Sequence, residues 1–232
     1  SDFAWSNRLI LYYLKNGRTN IALYEAQKML KEAQEEDDKT GLSRCYNIMS
    51  QIYTVKRLDS MAFEWQLKEI ELTEKYDLEN YNISQTYSQI SSYYINTNQP
   101  EKALEALKKA DATAYSPTQK ISVQLEYVNY YSKFGDMQAA EKILNECKTA
   151  FDQDKRLWSI KKRLYNIEYV YYLQSKQYPK ALEAAKKQEA EELNLSESIQ
   201  NSVHYLTKGK IYSNMGNMSE ASKYLQMYIE AE

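Results

Sequence analysis

YYSKFGDMQAA, residues 130–140, places Tyr131 four residues before Gly135 and nine before Ala140. The same nine-residue offset separates Tyr13 from Ala22, Tyr53 from Ala62, Tyr94 from Ala103, Tyr172 from Ala181 and Tyr212 from Ala221. From one alanine to the next the spacings are 40, 41, 37, 41 and 40 residues. The offset is constant while the period varies, so the chain is a repeat whose unit has a rigid interior and an elastic joint.

The rigid interior contains a turn. The position four residues after each tyrosine is Gly17, Arg57, Asn98, Gly135, Lys176 or Gly216. Glycine there fits the left-handed residue that ends a helix, and asparagine tolerates it. Pro100 and Pro179 follow within three residues, suiting the first turn of a second helix. Ser116 and Gln119 around Pro117 have the spacing of a capping box opening another helix. Both flanks are helical in pattern. In TYSQISSYYIN (86–96), Tyr87, Ile90, Ser91 and Tyr94 follow the i, i+3, i+4, i+7 spacing, as do Ala103, Leu104, Leu107 and Ala110 in EKALEALKKA (101–110). Each unit is helix, tight turn, helix, and such a hairpin buries its apolar face only against neighbours.

Composition agrees. Of 232 residues, 43% are hydrophobic and 27% charged, enough for a real core. Only 5 glycines and 3 prolines interrupt the chain, which favours long helices. Tyrosine (23) far outnumbers phenylalanine (4), and a ring with a polar tip suits positions half in a core and half wet. The net charge of −2 lacks the basic excess of a nucleic-acid binder, so no direct nucleic-acid binding is expected. The basic cluster Lys155, Arg156, Lys161, Lys162, Arg163 is expected to be a solvated helix face, with an acidic partner as the alternative; the acidic run Glu35, Glu36, Asp37, Asp38 is expected to be solvated at a helix end. Cys45 and Cys147 fall in different units, so no disulfide is expected and both are assigned to small buried positions. No apolar run is long enough to cross a membrane, so no membrane insertion is expected.

The unit resembles the tetratricopeptide repeat. With the repeated tyrosine at the family's eleventh position, glycine falls at the fifteenth and alanine at the twentieth. The last unit matches best, with Tyr205, Gly209, Tyr212, Gly216 and Ala221 all on family positions. The small eighth position is Ile10, Ser50, Ser91, Val128, Tyr169 and Gly209; Tyr169 departs, so the fourth-to-fifth-unit region is expected to pack differently. The units exceed the family's usual length of about 34 residues. The resemblance covers essentially the whole chain. It implies an all-α fold, an α-α superhelix forming a right-handed TPR-like solenoid of about six helix-turn-helix repeats. The units run roughly 3–40, 43–80, 84–116, 118–153, 155–194 and 196–232, one solenoid over 1–232.

The resemblance also implies that the first helices line a concave groove, through the residues nine, six and two before each tyrosine and one after. Its candidate peptide-binding residues are Asn7, Arg44, Asn47, Gln51, Gln85, Ser88, Ser92, Asn129, Arg163 and Asn166, with Thr54, Ser122, Leu125 and Ser132 on the same stripe. An amide side chain donates and accepts at once, which suits the backbone of an extended peptide. The competing explanation is a plain polar helix face. The lysine and asparagine clamp that some relatives use for a C-terminal carboxylate is not reproduced.

No catalytic constellation is recognisable. His204 is the only histidine, which rules out a multi-histidine metal cluster, and it is expected to be an ordinary helix-surface or inter-helix residue. There is no Gly-rich phosphate loop. The expectation is therefore a non-enzymatic domain without cofactor or metal, whose partner is a protein or an extended peptide; homo-oligomerisation is left open. The Tyr-rich units, roughly 40 residues long, look like those of bacterial regulators. That resemblance implies the sensory or interaction region of a signalling protein such as a transcriptional regulator, with further domains outside residues 1–232, in the cytoplasm or periplasm. The alternatives are a peptide-pheromone-responsive regulator acting on a response regulator, and an assembly scaffold or chaperone adaptor using the convex face.

Overall fold

In a computed structural model, which describes residues 2–191 and 197–231, twelve α-helices and one 3₁₀ helix account for the regular structure, with no strand among the described residues. In chain order they are α1 Asp2–Lys15, α2 Thr19–Glu35, α3 Lys39–Val55, α4 Asp59–Lys75, α5 Ile83–Asn96 and α6 Pro100–Thr113. These are followed by α7 Pro117–Phe134, α8 Met137–Gln153, α9 Lys161–Gln174, α10 Tyr178–Glu191, α11 Glu197–Asn214 and α12 Met218–Ala231. The 3₁₀ helix, Lys155–Ile160, precedes α9. Consecutive helices pair as six hairpins, and the fold is an all-α helical repeat of TPR-like type. The chain forms two compact units, Ser1–Ala114 with α1–α6 and Tyr115–Glu232 with α7–α12. The expected joint between the fifth and sixth repeats, at 194–196, lies outside the described residues.

All six turn residues have the left-handed conformation: φ is 75° at Gly17, 59° at Arg57, 59° at Asn98, 99° at Gly135, 61° at Lys176 and 78° at Gly216. Arg57 and Lys176 therefore occupy a region where a Cβ is disfavoured. The residue after each turn position joins the two helices. The N–H groups of Arg18, Leu58, Gln99, Asp136, Gln177 and Asn217 donate back to the carbonyls of the six repeated tyrosines at 2.7–3.0 Å. This is the long closing bond of a Schellman motif. The carbonyls of those same residues accept from the N–H groups of the six repeated alanines at 3.0–3.1 Å, the first bond of the next helix.

Packing explains the residue types. All six alanines are buried, and the six tyrosines are half-buried. At the small position of the first helix, Ser50 and Ser91 are buried, and the Ser91 hydroxyl donates to the Ala103 carbonyl at 2.9 Å. A Cβ on Gly209 would come within 2.9 Å of the Leu225 side chain, so only glycine lets α11 and α12 approach this closely. Each unit has its own core, around Ile10, Met29, Ile48 and Ile52 in the first and Leu125, Leu144, Phe151 and Ile167 in the second.

The elastic joints differ in kind. Asp37 (φ 50°) and Asp77 (φ 47°) add left-handed turns after α2 and α4. Asp38 then caps α3 by accepting from the Gly41 N–H at 2.9 Å. The acidic run at 35–38 thus makes a turn and a cap rather than only a solvated end. Ser116 caps α7 as its capping box requires, accepting from the Gln119 N–H at 3.2 Å, while Gln119 reaches back to the N–H of Tyr115 at 3.1 Å. The 3₁₀ helix at 155–160 occupies the joint before α9, where Tyr169 replaces a small residue.

Gly135 has open space where a Cβ would sit, so Gly135→Ala tests backbone conformation alone. It is expected to lower stability by about 1 kcal/mol, and Lys176→Gly to raise it by a few tenths of a kcal/mol, as urea midpoints at constant m.

Candidate functional site

The amide-rich stripe on the first helices splits into two classes of residue. In the first unit, Asn47 of α3 turns toward Glu69 of α4, which is 1% exposed. The Glu69 carboxylate accepts from Asn47 Nδ2 at 3.1 Å, from the Thr86 hydroxyl on α5 at 3.0 Å, and from Asn80 Nδ2 at 2.9 Å. Gln51 Nε2 donates to Asn47 Oδ1 at 2.6 Å. Asn80, in the connection between α4 and α5, also reaches the Thr73 hydroxyl at 3.2 Å and accepts from the Asn82 N–H at 3.0 Å. Three consecutive helices and one connection thereby share one carboxylate. Burial pushes the Glu69 carboxyl above its ordinary range, and the hydrogen bonds from Asn80, Asn47 and Thr86 oppose that push.

The second unit repeats the arrangement with a cation. Glu126 of α7 is 0% exposed and accepts from Asn129 Nδ2 at 2.9 Å and from the guanidinium of Arg163 on α9. About a third of the Arg163 side chain (34%) reaches solvent, while its charge rests on the buried carboxylate.

Asn47, Gln51, Asn129 and Arg163 therefore have polar groups already engaged within the fold. The other predicted residues differ. Asn7, Gln85, Ser92 and Asn166 make no side-chain hydrogen bond among the described residues; Gln85 is exposed and the other three are half-buried. Arg44 is exposed and lies 5.6 Å from the Phe3 ring centre. The hydroxyls of Ser88 and Ser132 are buried without a partner among the described residues. Leu125 on the same stripe is core. Sequence reasoning missed Glu69 and Glu126. A signal for Glu69 exists: seven residues after each repeated alanine stand Met29, Glu69, Ala110, Cys147, Gln188 and Tyr228, and Glu69 is the single formal charge in that series.

Several clefts open beside these helices. One of about 340 Å³ is lined by Thr54 and Asp59 of the second hairpin, by Gln66 of α4, and by Gln89, Ser92, Tyr93 and Thr97 around α5. Tyr93 stacks on Phe63 with centroids 4.0 Å apart and planes at 15°. In the second unit, clefts of about 220 and 360 Å³ are lined by Lys148, Glu168 and Lys187, with Tyr172 and Lys180 in one and Trp158, Tyr165 and Lys161 in the other. From the predicted basic cluster, Arg156 pairs with Asp154 at 2.8 Å and Lys161 lies 4.9 Å from the Trp158 ring centre. His204, on α11, is buried. Burial pushes the thiols of Cys45 and Cys147 up to about 11 and about 12, so both are protonated and unreactive at neutral pH. Among the described residues no three His, Cys, Asp or Glu side chains converge as a metal site, and no helix is long and apolar enough to cross a membrane.

The family described as 26S proteasome subunit RPN7 matches residues 54–185, more than half of the chain. No curated protein matches. Among solved structures, PilW, a widely conserved type IV pilus biogenesis factor, is 16% identical with a TM-score of 0.60, covering 97% of this chain and 90% of its own. A Podosopora anserina protein with nearly identical TPR-like repeats, described as a kinesin light chain, is 15% identical with a TM-score of 0.58, over 82% and 93%. BtubC from P. vanneervenii is 14% identical with a TM-score of 0.52, over 92% and 90%. At these identities the likeness is one of fold.

The raised Glu69 carboxyl has a defined pH signature. A proton held more tightly in the folded state stabilises below the ordinary glutamate value, and that contribution is lost as pH rises through the raised one. Glu69→Gln removes this dependence. The stability of the natural chain relative to Glu69→Gln is expected to be most favourable near pH 4 and to shrink toward pH 7, read as paired urea midpoints. Arg163→Met, which leaves the buried Glu126 charge without its cation, is expected to cost about 2 kcal/mol or more, against less than about 0.5 kcal/mol for Arg44→Met at the exposed position.

Proposed function

Because this chain belongs to the RPN7 family, we propose that it is a non-catalytic module that binds an extended segment of a partner protein along its first helices. TPR-like folds bind proteins or peptides, and the observation that carries this reading is the set of polar residues left without partners, among the described residues, at the stripe positions of the first helices in each unit. Asn7 on α1 and Gln85 and Ser92 on α5 belong to the first unit and Asn166 on α9 to the second, while Asn47 on α3 and Asn129 on α7 are locked onto buried carboxylates. The locked residues hold the helices in register, and the unpartnered ones are free to donate to and accept from a peptide backbone.

Within this reading, the Tyr-rich units of roughly 40 residues favour the sensory or interaction region of a bacterial signalling protein such as a transcriptional regulator. A second reading, an assembly scaffold, is favoured by the family itself, whose described member is a subunit of a large complex. In that case the second helices would make the contacts.

A random peptide library selected against the chain separates the two. Selected peptides are expected to lose binding at least about tenfold to the double variant Asn7→Ala, Gln85→Ala within the first unit, whose melting should stay within about 0.5 kcal/mol of the natural chain. Peptides insensitive to that variant, but lost on substitution of exposed second-helix residues such as Lys108 and Glu141, would transfer the function to the scaffold reading.

A further inference from the structure

The cleft beside Tyr93 differs from the other clefts in its charge. Around Tyr172 the chain supplies its own cations, with Lys148 and Lys180 at 5.9 and 5.6 Å from the ring centre. Around Tyr76, Lys39 and Lys75 do the same at 4.9 and 5.3 Å. No lysine or arginine lines the cleft of about 340 Å³, and none lies over Tyr93 among the described residues. Its single ionised side chain is Asp59, the first residue of α4, which is exposed and carries no ion pair among the described residues. Gln66 lines the cleft although it is only 5% exposed. Its Nε2 donates to Gln89 Oε1 at 3.2 Å, and its own carbonyl oxygen has no donor among the described residues. The Tyr93 ring, held by Phe63, forms an aromatic wall.

A carboxylate, an unpartnered amide carbonyl, the Ser92 hydroxyl and a fixed aromatic ring make a set of acceptors that lacks a cationic donor, while the Thr97 hydroxyl already accepts from Gln99 Nε2 at 2.8 Å. A guanidinium has five N–H donors in one plane, suited to several acceptors at once, and its flat face packs on a tyrosine. We propose that this cleft receives an arginine side chain of the partner polypeptide, with Asp59 as its counter-ion and Gln66 as its buried acceptor. The assignment rests on the protein-binding reading above and names the residue class that the bound segment must carry. Ser92 belongs both to the cleft and to the unpartnered stripe, so an arginine seated here leaves its own backbone beside the first helices.

The test uses the intact chain, ¹⁵N-labelled, titrated with the capped tripeptide Ac-Ala-Arg-Ala-NH₂ and with its lysine and citrulline counterparts. Citrulline keeps the shape and loses the charge. The expected result is shifts of the Ser92, Tyr93 and Thr97 amides, strongest for arginine, weaker for lysine and absent for citrulline. Asp59→Asn, an exposed substitution, should weaken arginine binding about tenfold, while Asp111→Asn on α6 leaves it unchanged. Citrulline binding as well as arginine, an Asp59→Asn variant that binds normally, or shifts confined to the acidic stretch at 35–38 would each overturn the assignment. Library peptides that bind the stripe without a basic residue, and indifferently to Asp59→Asn, would refute the arginine cleft and leave the protein-binding reading standing. Tripeptide binding with no library peptide retained by the stripe would support the cleft and remove that reading.

Discussion

One backbone residue holds each hairpin together. The residue five after each repeated tyrosine gives its N–H to the tyrosine carbonyl behind it and its carbonyl to the alanine N–H ahead of it. The first bond terminates one helix and the second initiates the next, so a single peptide unit fixes the end of one axis and the start of another. The constant offset of nine is this relay: five residues back to the tyrosine, four forward to the alanine. Its geometry requires a left-handed residue one position earlier, and the chain meets that requirement six times, three of them without glycine. The side chains on either side follow. The alanine must be small because its helix has just turned back onto the first, and the tyrosine fills the outer edge of that turn with a ring whose hydroxyl stays near water.

Between hairpins the control is electrostatic. Glu69 and Glu126 are both buried, each drawing donors from neighbouring helices of its own unit. A buried carboxylate costs several kcal/mol unless its lone pairs are filled. Glu69 fills them with neutral donors from Asn47, Asn80 and Thr86, and burial raises its proton affinity against the opposing pull of those donors. Glu126 takes Arg163 instead. The two solutions have one consequence: displacing a helix of the set exposes an unsatisfied charge, so the repeats hold a defined register where apolar contacts alone would allow sliding.

The relay was legible in the sequence because it is a backbone device and forces residue types at fixed offsets. Six φ values above zero at the predicted turn positions, and six buried alanines, follow from the spacing of tyrosine and alanine alone. The stripe was legible only in part. Helical periodicity puts Asn47, Gln51, Gln85 and Asn129 each on the corresponding face of its own helix, but it does not say which amides turn inward, since that depends on where a buried carboxylate lies. Glu69 lies 22 residues beyond Asn47, and Arg163 lies 37 beyond Glu126. The deviation at position 69 from a series otherwise free of formal charge was the available clue, and it concerns the second helix, away from the stripe under scrutiny. The acidic run at 35–38 hid a cap for a similar reason: composition marks it as solvated, while the Asp38 to Gly41 bond depends on where α3 begins.

The tyrosines suggest how such a scaffold separates structure from recognition. Lys102 lies over Tyr94, Lys180 over Tyr172, and Lys208 and Lys223 over Tyr224, so many aromatic faces left by the repeat are covered by aliphatic stems and ammonium groups from the chain itself. Each such contact contributes only about 0.5–1 kcal/mol at an exposed site, but it shields a ring that would otherwise invite association. With 30 basic and 32 acidic residues in the chain, covering every ring and every carboxylate internally would leave little to distinguish one face from another. On the proposed protein-binding reading, specificity belongs to the places where this internal complementation stops. The unpartnered amides of the stripe and the Asp59 carboxylate beside Tyr93 are such places, and they occur on helices whose positions the relay and the buried carboxylates have already determined.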